Sequence, residues 1–197
     1  MLSLVLGITA FALYLVYDLN SFLWQRKWMR TLFAAGSLLL VSATALAVYT
    51  AVKAHGFGGW TDGLLVALSL LFAAGLAYSL FFAIPFDETY ARQSTGRVVC
   101  RRGVYAMCRH PGILFFFGMY LCAGLAALPA PALLMNGMIF SALNLAYAWF
   151  QDCVTFPKTF CDYHDYQKSV PFLIPTKASL EKARSTLRQP VDEEVEL

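Results

Sequence analysis

The sequence predicts an all-α integral membrane protein with five transmembrane helices. The last two pair as a helical hairpin, the N-terminus lies outside and the C-terminus is cytoplasmic. Three observations carry this. Of the 197 residues, 59% are hydrophobic and only 14% charged, whereas a soluble domain carries about a quarter charged residues. The apolar residues fall in runs that approach or exceed the ~18 residues a membrane-crossing helix needs. The charge, finally, sits almost wholly between those runs. A net charge of +3 distributed in this way sets topology and argues against a nucleic-acid partner.

Met1 to Leu19 is almost wholly apolar, with Asp18 and Asn20 near its end. It has no basic leader and no small-residue cleavage site, so it is expected to stay as the first span. Arg26, Lys27 and Arg30 follow, with Trp24 and Trp28 as interfacial anchors. Thr31 to about Val52 forms the second span, and a glycine-rich turn beginning at Lys53 leads to a third from Leu64 to about Ala83, ended by Pro85. Phe86 to Pro111 is a long polar connection carrying Asp87, Glu88 and five arginines. Ile113 to about Leu128 is apolar but short, and Pro129-Ala-Pro131 separates it from Ala132–Phe150. So tight a link makes these two spans antiparallel neighbours.

The basic residues test this count. Fourteen of the fifteen Lys and Arg fall on one side of a five-span layout, and only Lys53 on the other. The positive-inside rule makes that side cytoplasmic. The expected organisation is a membrane domain over residues 1–175, located in a bacterial inner membrane. It includes a cytoplasmic loop at 84–111 and an interfacial segment at 151–175. Residues 176–197 then form a solvated tail, with a short helix over 176–187 and a disordered acidic end after Pro190.

Three groups of residues bear chemistry. The first is Arg101, Arg102, Tyr105, Arg109 and His110, where the chain re-enters an apolar run. Pro111 disfavours a helical His110, so this stretch should end as a fixed turn. Arginine forks match carboxylates and other anions, although Arg92 and Arg97 read better as partners of lipid phosphates. The second is Asn144, Gln151 and Asp152. Asn144 and Gln151 are seven apart and share a helix face. Asn144 reads as the deepest amide of the last span, facing a cavity or a neighbouring helix. Asp152 is placed to accept from an ammonium or from Arg109, or is an ordinary interfacial acid. The third is the cysteines: five in all, four on the cytoplasmic side and expected to be reduced. Cys100/Cys108 and Cys153/Cys161 lack zinc-site spacing, so they read as small apolar fillers and no metal is expected.

Gly103-x-Tyr105-x-x-x-Arg109-His110-Pro111, and downstream Tyr163-x-x-Tyr166-x-x-x-Val170-Pro171, resemble the membrane methyltransferases of the isoprenylcysteine carboxyl methyltransferase and phospholipid N-methyltransferase group. The likeness covers roughly residues 60 to 175. Gln151-Asp152 falls where that group has a Glu-Glu pair. The resemblance implies S-adenosylmethionine as cofactor, bound from the cytoplasm between the first motif and the C-terminal segment. A lipid-soluble or small hydrophobic acceptor would arrive laterally from the bilayer lipids. It further implies that Arg109 and His110 help hold the cofactor, with Gly103, Pro111, Gln151 and Tyr166 around it, and that Tyr105 and Tyr163 wall its pocket. Arg109 and Asp152 are the expected catalytic pair.

The chain departs from the group's pattern at Ile113 (usually Tyr), at Phe115 (usually Gly) and at Gln151-Asp152. Phe115 is expected to fill part of a cofactor cleft. Two other classes fit the same residues: an NADPH-dependent membrane reductase of the sterol-reductase type, and a non-catalytic membrane adaptor whose basic loop binds anionic lipid.

Overall fold

A computed structural model of the chain describes residues 1–55, 58–83, 97–128 and 130–187. Among these residues the chain is helical without strands: α1 (Leu2–Phe22), a 3-10 turn (Lys27–Arg30), α2 (Thr31–His55), α3 (Trp60–Phe81), α4 (Val104–Met107), α5 (Pro111–Ala126) and α6 (Ala132–Phe150). A π-helical turn (Gln151–Thr155), α7 (Phe156–Thr159), α8 (Tyr163–Ser169) and α9 (Lys177–Thr186) complete it. Pro85, Asp87, Glu88, Arg92, Pro129 and the acidic tail from 188 lie outside the described residues.

Four helical stretches are long and apolar enough to cross a membrane: Leu2–Phe22, Lys27–Ala54, Trp60–Phe81 and Ala132–Thr159. The protein is thus an all-α membrane protein by length and composition. α5 has only 16 residues, about 24 Å at 1.5 Å per residue, short of the ~30 Å hydrocarbon core. It compensates by position. α5 packs between α3 and α6 and buries Ile113, Phe116, Gly118, Tyr120, Cys122, Gly124 and Ala126. α3, by contrast, buries only Ser79.

Helix boundaries follow local chemistry. α3 begins four residues before the expected Leu64, because the Asp62 carboxylate accepts from the free amide of Gly59, 3.2 Å away, and caps the first turn. Asn20 closes the α1–α2 connection, donating to the Arg26 carbonyl at 3.0 Å and accepting from its amide at 2.9 Å. Pro111 takes the first helical position of α5, with His110 non-helical before it (φ −127°, ψ 62°), as the missing proline N–H and fixed φ favour.

Small residues let these helices approach, since lipid gives apolar side chains little reason to prefer one another. Gly75 of α3 receives the Phe115 ring, Gly118 of α5 receives Phe72, and Gly137 of α6 receives Tyr120. Phe115 therefore faces α3. It packs the helix interface and does not fill a cleft beside the first motif, which corrects the expectation for that residue. α1 and α6 run parallel with a constant offset. Ser3 meets Asn136 (2.8 Å) and Asp18 meets Gln151 (2.9 Å), both 133 residues apart. Between them, the rings of Tyr14 and Tyr147 stack at 5.7 Å with the same separation in sequence.

α9 is amphipathic and largely exposed, capped by Thr176 and Ser179. It docks on α4, burying Ser179 and Ala183, with the Thr186 hydroxyl accepting from the Gly103 amide at 3.0 Å.

Candidate functional site

The site lies at the end of the bundle where α5 begins and α6 ends. Gly103 opens it with φ +55° and ψ −129°, a conformation that a side chain would strain. That turn launches α4 and sets Tyr105 between two elements. The Tyr105 hydroxyl donates to the Ser79 carbonyl of α3 at 2.8 Å, and its carbonyl accepts from the Tyr166 hydroxyl at 2.6 Å. The next residues pair with the C-terminal segment through the backbone: Arg109 N–H to Pro171 (2.9 Å) and His110 N–H to Phe172 (3.3 Å).

Asp152 is the hub. Its Oδ1 accepts from Arg109 Nε (2.8 Å), the Tyr163 hydroxyl (2.5 Å) and His110 Nε2 (3.3 Å). Its Oδ2 accepts from Arg109 Nη2 (2.9 Å) and Gln167 Nε2 (3.1 Å). Arg109 Nη1 donates to the carbonyls of Gln167 (2.9 Å) and Val170 (2.8 Å). The side chains of this pair are only 11% and 6% exposed. A carboxylate offers about four lone-pair sites and a guanidinium five N–H groups. The Asp152 carboxylate is therefore saturated, and Arg109 spends four of its five N–H groups on the protein itself.

Of the two partners expected for Asp152, an ammonium or Arg109, the structure shows Arg109. Arg109 is not an open clamp for a cofactor carboxylate, and Asp152 has no lone pair left for an acceptor ammonium. The two instead fasten the Arg-His-Pro turn to the C-terminal segment. Burial and the Asp152 carboxylate both push the Tyr163 hydroxyl well above the ordinary tyrosine range, and burial does the same for Tyr166. Both phenols stay protonated donors. Burial likewise pushes the Cys108 thiol up to about 11.

Aromatic rings surround the hub. His110 lies parallel to Phe156 with centroids 5.9 Å apart and tilted against Phe172 at 4.9 Å. Phe156 also meets Phe160 and Tyr163 edge-on. Phe156, Phe160 and Phe172 are half-buried, so they offer surface on which a flat ring can stack. At the rim Arg101 pairs with Asp162 at 2.7 Å, and the Asp162 carboxylate accepts from the Val99 amide at 2.9 Å. This tie joins the polar connection to α8.

Of the expected residues, Gly103, Tyr105, Arg109, His110, Pro111, Asp152, Tyr163 and Tyr166 come together. Gln151 does not: it turns to α1 and donates to Asp18. Asn144 is half-buried and makes no side-chain hydrogen bond among the described residues, and the buried amide of α6 is Asn136. Cys153 and Cys161 are exposed, so they are not apolar fillers, whereas Cys108 and Cys122 are buried. Sequence reasoning missed Gln167 and Phe156. Gln167 follows Tyr166 inside the second motif, and Phe156 lies four residues beyond Asp152, one helical turn away.

No family model matches the chain, and neither a curated protein nor a solved structure does.

Proposed function

We propose that this protein is a membrane methyltransferase that uses S-adenosylmethionine on a lipid-soluble or small hydrophobic acceptor at the cytoplasmic face, within a five-span bundle whose fourth span is α5. One observation carries the reading. The two motifs of the resemblance, more than fifty residues apart in sequence, meet in one buried hydrogen-bonded hub around Asp152. They meet at the end of the bundle where the basic residues cluster.

The hub revises the roles. Arg109, Asp152, Tyr163 and Gln167 are positioning residues that hold the turn and the C-terminal segment as two facing walls. The stacking faces of Phe156, Phe160 and Phe172 fit the flat base of a nucleoside cofactor, and the Arg109–Asp152 pair does not fit its charged end. The cofactor would supply a methyl group on a sulfonium, open to in-line displacement by an acceptor lone pair. What the chain contributes is positioning and exclusion of water.

Calorimetry on the detergent-purified protein tests this, with S-adenosylhomocysteine and NADPH titrated separately. Micromolar binding of S-adenosylhomocysteine is expected. It should weaken about two- to tenfold in Phe156→Leu, as loss of an aromatic pair predicts, with the melting temperature as a fold control. NADPH binding alone would move the protein to the reductase class. Binding of neither would leave the lipid-binding adaptor as the better reading.

A further inference from the structure

Asp18 is the one carboxylate in the described part of α1, and it is 4% exposed. The Gln151 amide donates to its Oδ2 at 2.9 Å, and Tyr147 lies beside it. Among the described residues no Lys, Arg or His pairs with it. Asp152, the other buried carboxylate at this end, has its guanidinium. A buried charge without a counter-charge is strongly disfavoured, and ionisable residues inside membrane helices usually mark a substrate path.

Two further observations bear on the missing partner. Tyr14, Tyr147, Tyr17 and Phe33 gather one turn away. Tyr14 stacks on Tyr147 at 5.7 Å, and Phe33 touches both Tyr14 and Tyr17 at 5.4 Å. Aromatic faces attract ammonium groups. Phe33 is 49% exposed on the outside of the bundle, so this aromatic group reaches from the lipid-facing surface to the carboxylate. The second observation is Thr155, 6% exposed, whose hydroxyl has no hydrogen-bond partner among the described residues. It lies four residues on from Gln151 and thus on the same face of the turn.

We infer that Asp18, with Gln151, Thr155 and the Tyr14–Tyr147 stack, forms a binding site for the ammonium group of an amphiphilic amine arriving from the bilayer. An interhelical tie alone does not need the charge. At the far end of the same helix pair, Ser3 and Asn136 make an equivalent tie with neutral groups. The site is separate from the Asp152 hub: Gln151 faces Asp18, whereas Asp152, the next residue, faces Arg109. Naming the amine as the methyl acceptor rests on the proposed methyl transfer. The binding site itself does not.

The experiment is a calorimetric titration of dodecylamine and dodecanol into the protein in a maltoside detergent, in wild type, Asp18→Asn and Thr155→Val. Saturable dodecylamine binding at least tenfold tighter than dodecanol is expected, reduced tenfold or more in Asp18→Asn. The amide can keep the tie to Gln151, so the melting temperature should hold. Thr155→Val should weaken binding about threefold, the value of one hydrogen bond. Equal affinity for dodecanol, or Asp18→Asn binding dodecylamine like wild type, would overturn the site. If Asp18→Asn does not fold, the amine-against-alcohol comparison on wild type and the Thr155→Val titration decide. S-adenosylhomocysteine titrated into the same samples separates the two ideas. Asp18-dependent amine binding without cofactor binding keeps the site and sinks the methyl-transfer reading, and cofactor binding without amine preference does the reverse.

Discussion

Arg109 spends four hydrogen bonds on three residues, and none of those residues is near it in sequence. Removing Asp152 would strand a buried guanidinium, a change that costs about 3–5 kcal/mol where such pairs have been broken. Asp152→Asn should accordingly lower the melting temperature in detergent and expose the segment after Phe150 to protease. Replacing both partners, as Arg109→Met with Asp152→Leu, should cost less than Asp152→Asn alone, because no unpaired charge then remains. Equal stability of Asp152→Asn and wild type would show that the pair does not hold the segment. At this scale the sequence was legible in residue type but only partly in role. Arg109, His110 and Asp152 stand out as polar groups beside apolar runs, and Arg109 was one of two partners expected for Asp152; the fold shows that pair made. Gln151 was grouped with Asp152 by adjacency. Successive residues on a helical turn point in different directions, and Gln151 belongs to the Asp18 face.

Among the elements, α5 departs furthest from a simple hydropathy reading. Its apolar run is too short to stand alone in lipid, and it is stable as the centre of the bundle because its neighbours cover it. The contact between α5 and α6 is the tightest of these. A Cβ on Gly124 would lie 2.6 Å from the Leu134 Cα, a backbone atom that cannot swing aside. Gly124→Ala should therefore push the hairpin apart, costing about 1–3 kcal/mol as overpacking does. Gly63→Ala, near the start of α3 and open on all sides, should be neutral or stabilise by up to ~1 kcal/mol through helix propensity. Comparing the two melting temperatures in one detergent checks the packing. A Gly124→Ala protein as stable as Gly63→Ala would mean the helices are not this close. Hydropathy located all five apolar helices, and α6 over the same residues, because length and polarity are local properties. It did not show which helices touch. The parallel α1–α6 pair depends on contacts 133 residues apart, and no window along the chain contains both partners.

For the molecule as a whole, the alternating course of the helices and the distribution of charge make the same prediction. α1, α3 and α6 end, and α2 and α5 begin, at the end that holds the Asp152 hub. The connection around Gly58 lies at the other end. If α5 completes a five-span bundle, Gly58 and Cys161 lie on opposite sides of the membrane. If α5 does not cross, α6 runs the other way and the hub could not assemble as it does. Cysteine labelling in intact cells tests this. Two variants are needed, one keeping Cys161 alone and one carrying Gly58→Cys with all five native cysteines replaced by serine. Both target positions are exposed, so accessibility will report sidedness. An impermeant maleimide should label the Gly58→Cys variant in intact cells, and the variant keeping Cys161 only after permeabilisation. In the otherwise wild-type protein Cys108 should stay unlabelled at pH 7.4 even then, since it is buried and its thiol is pushed up to about 11. That raised value also fixes a direction for stability. The folded protein holds this proton more tightly than the unfolded chain, whose thiol titrates near ~8.5. The contribution is thus complete below that pH and is lost as the pH rises towards 11. Labelling of both sites from the same side would remove α5 from the count of spans, and with it the cytoplasmic placement of the hub.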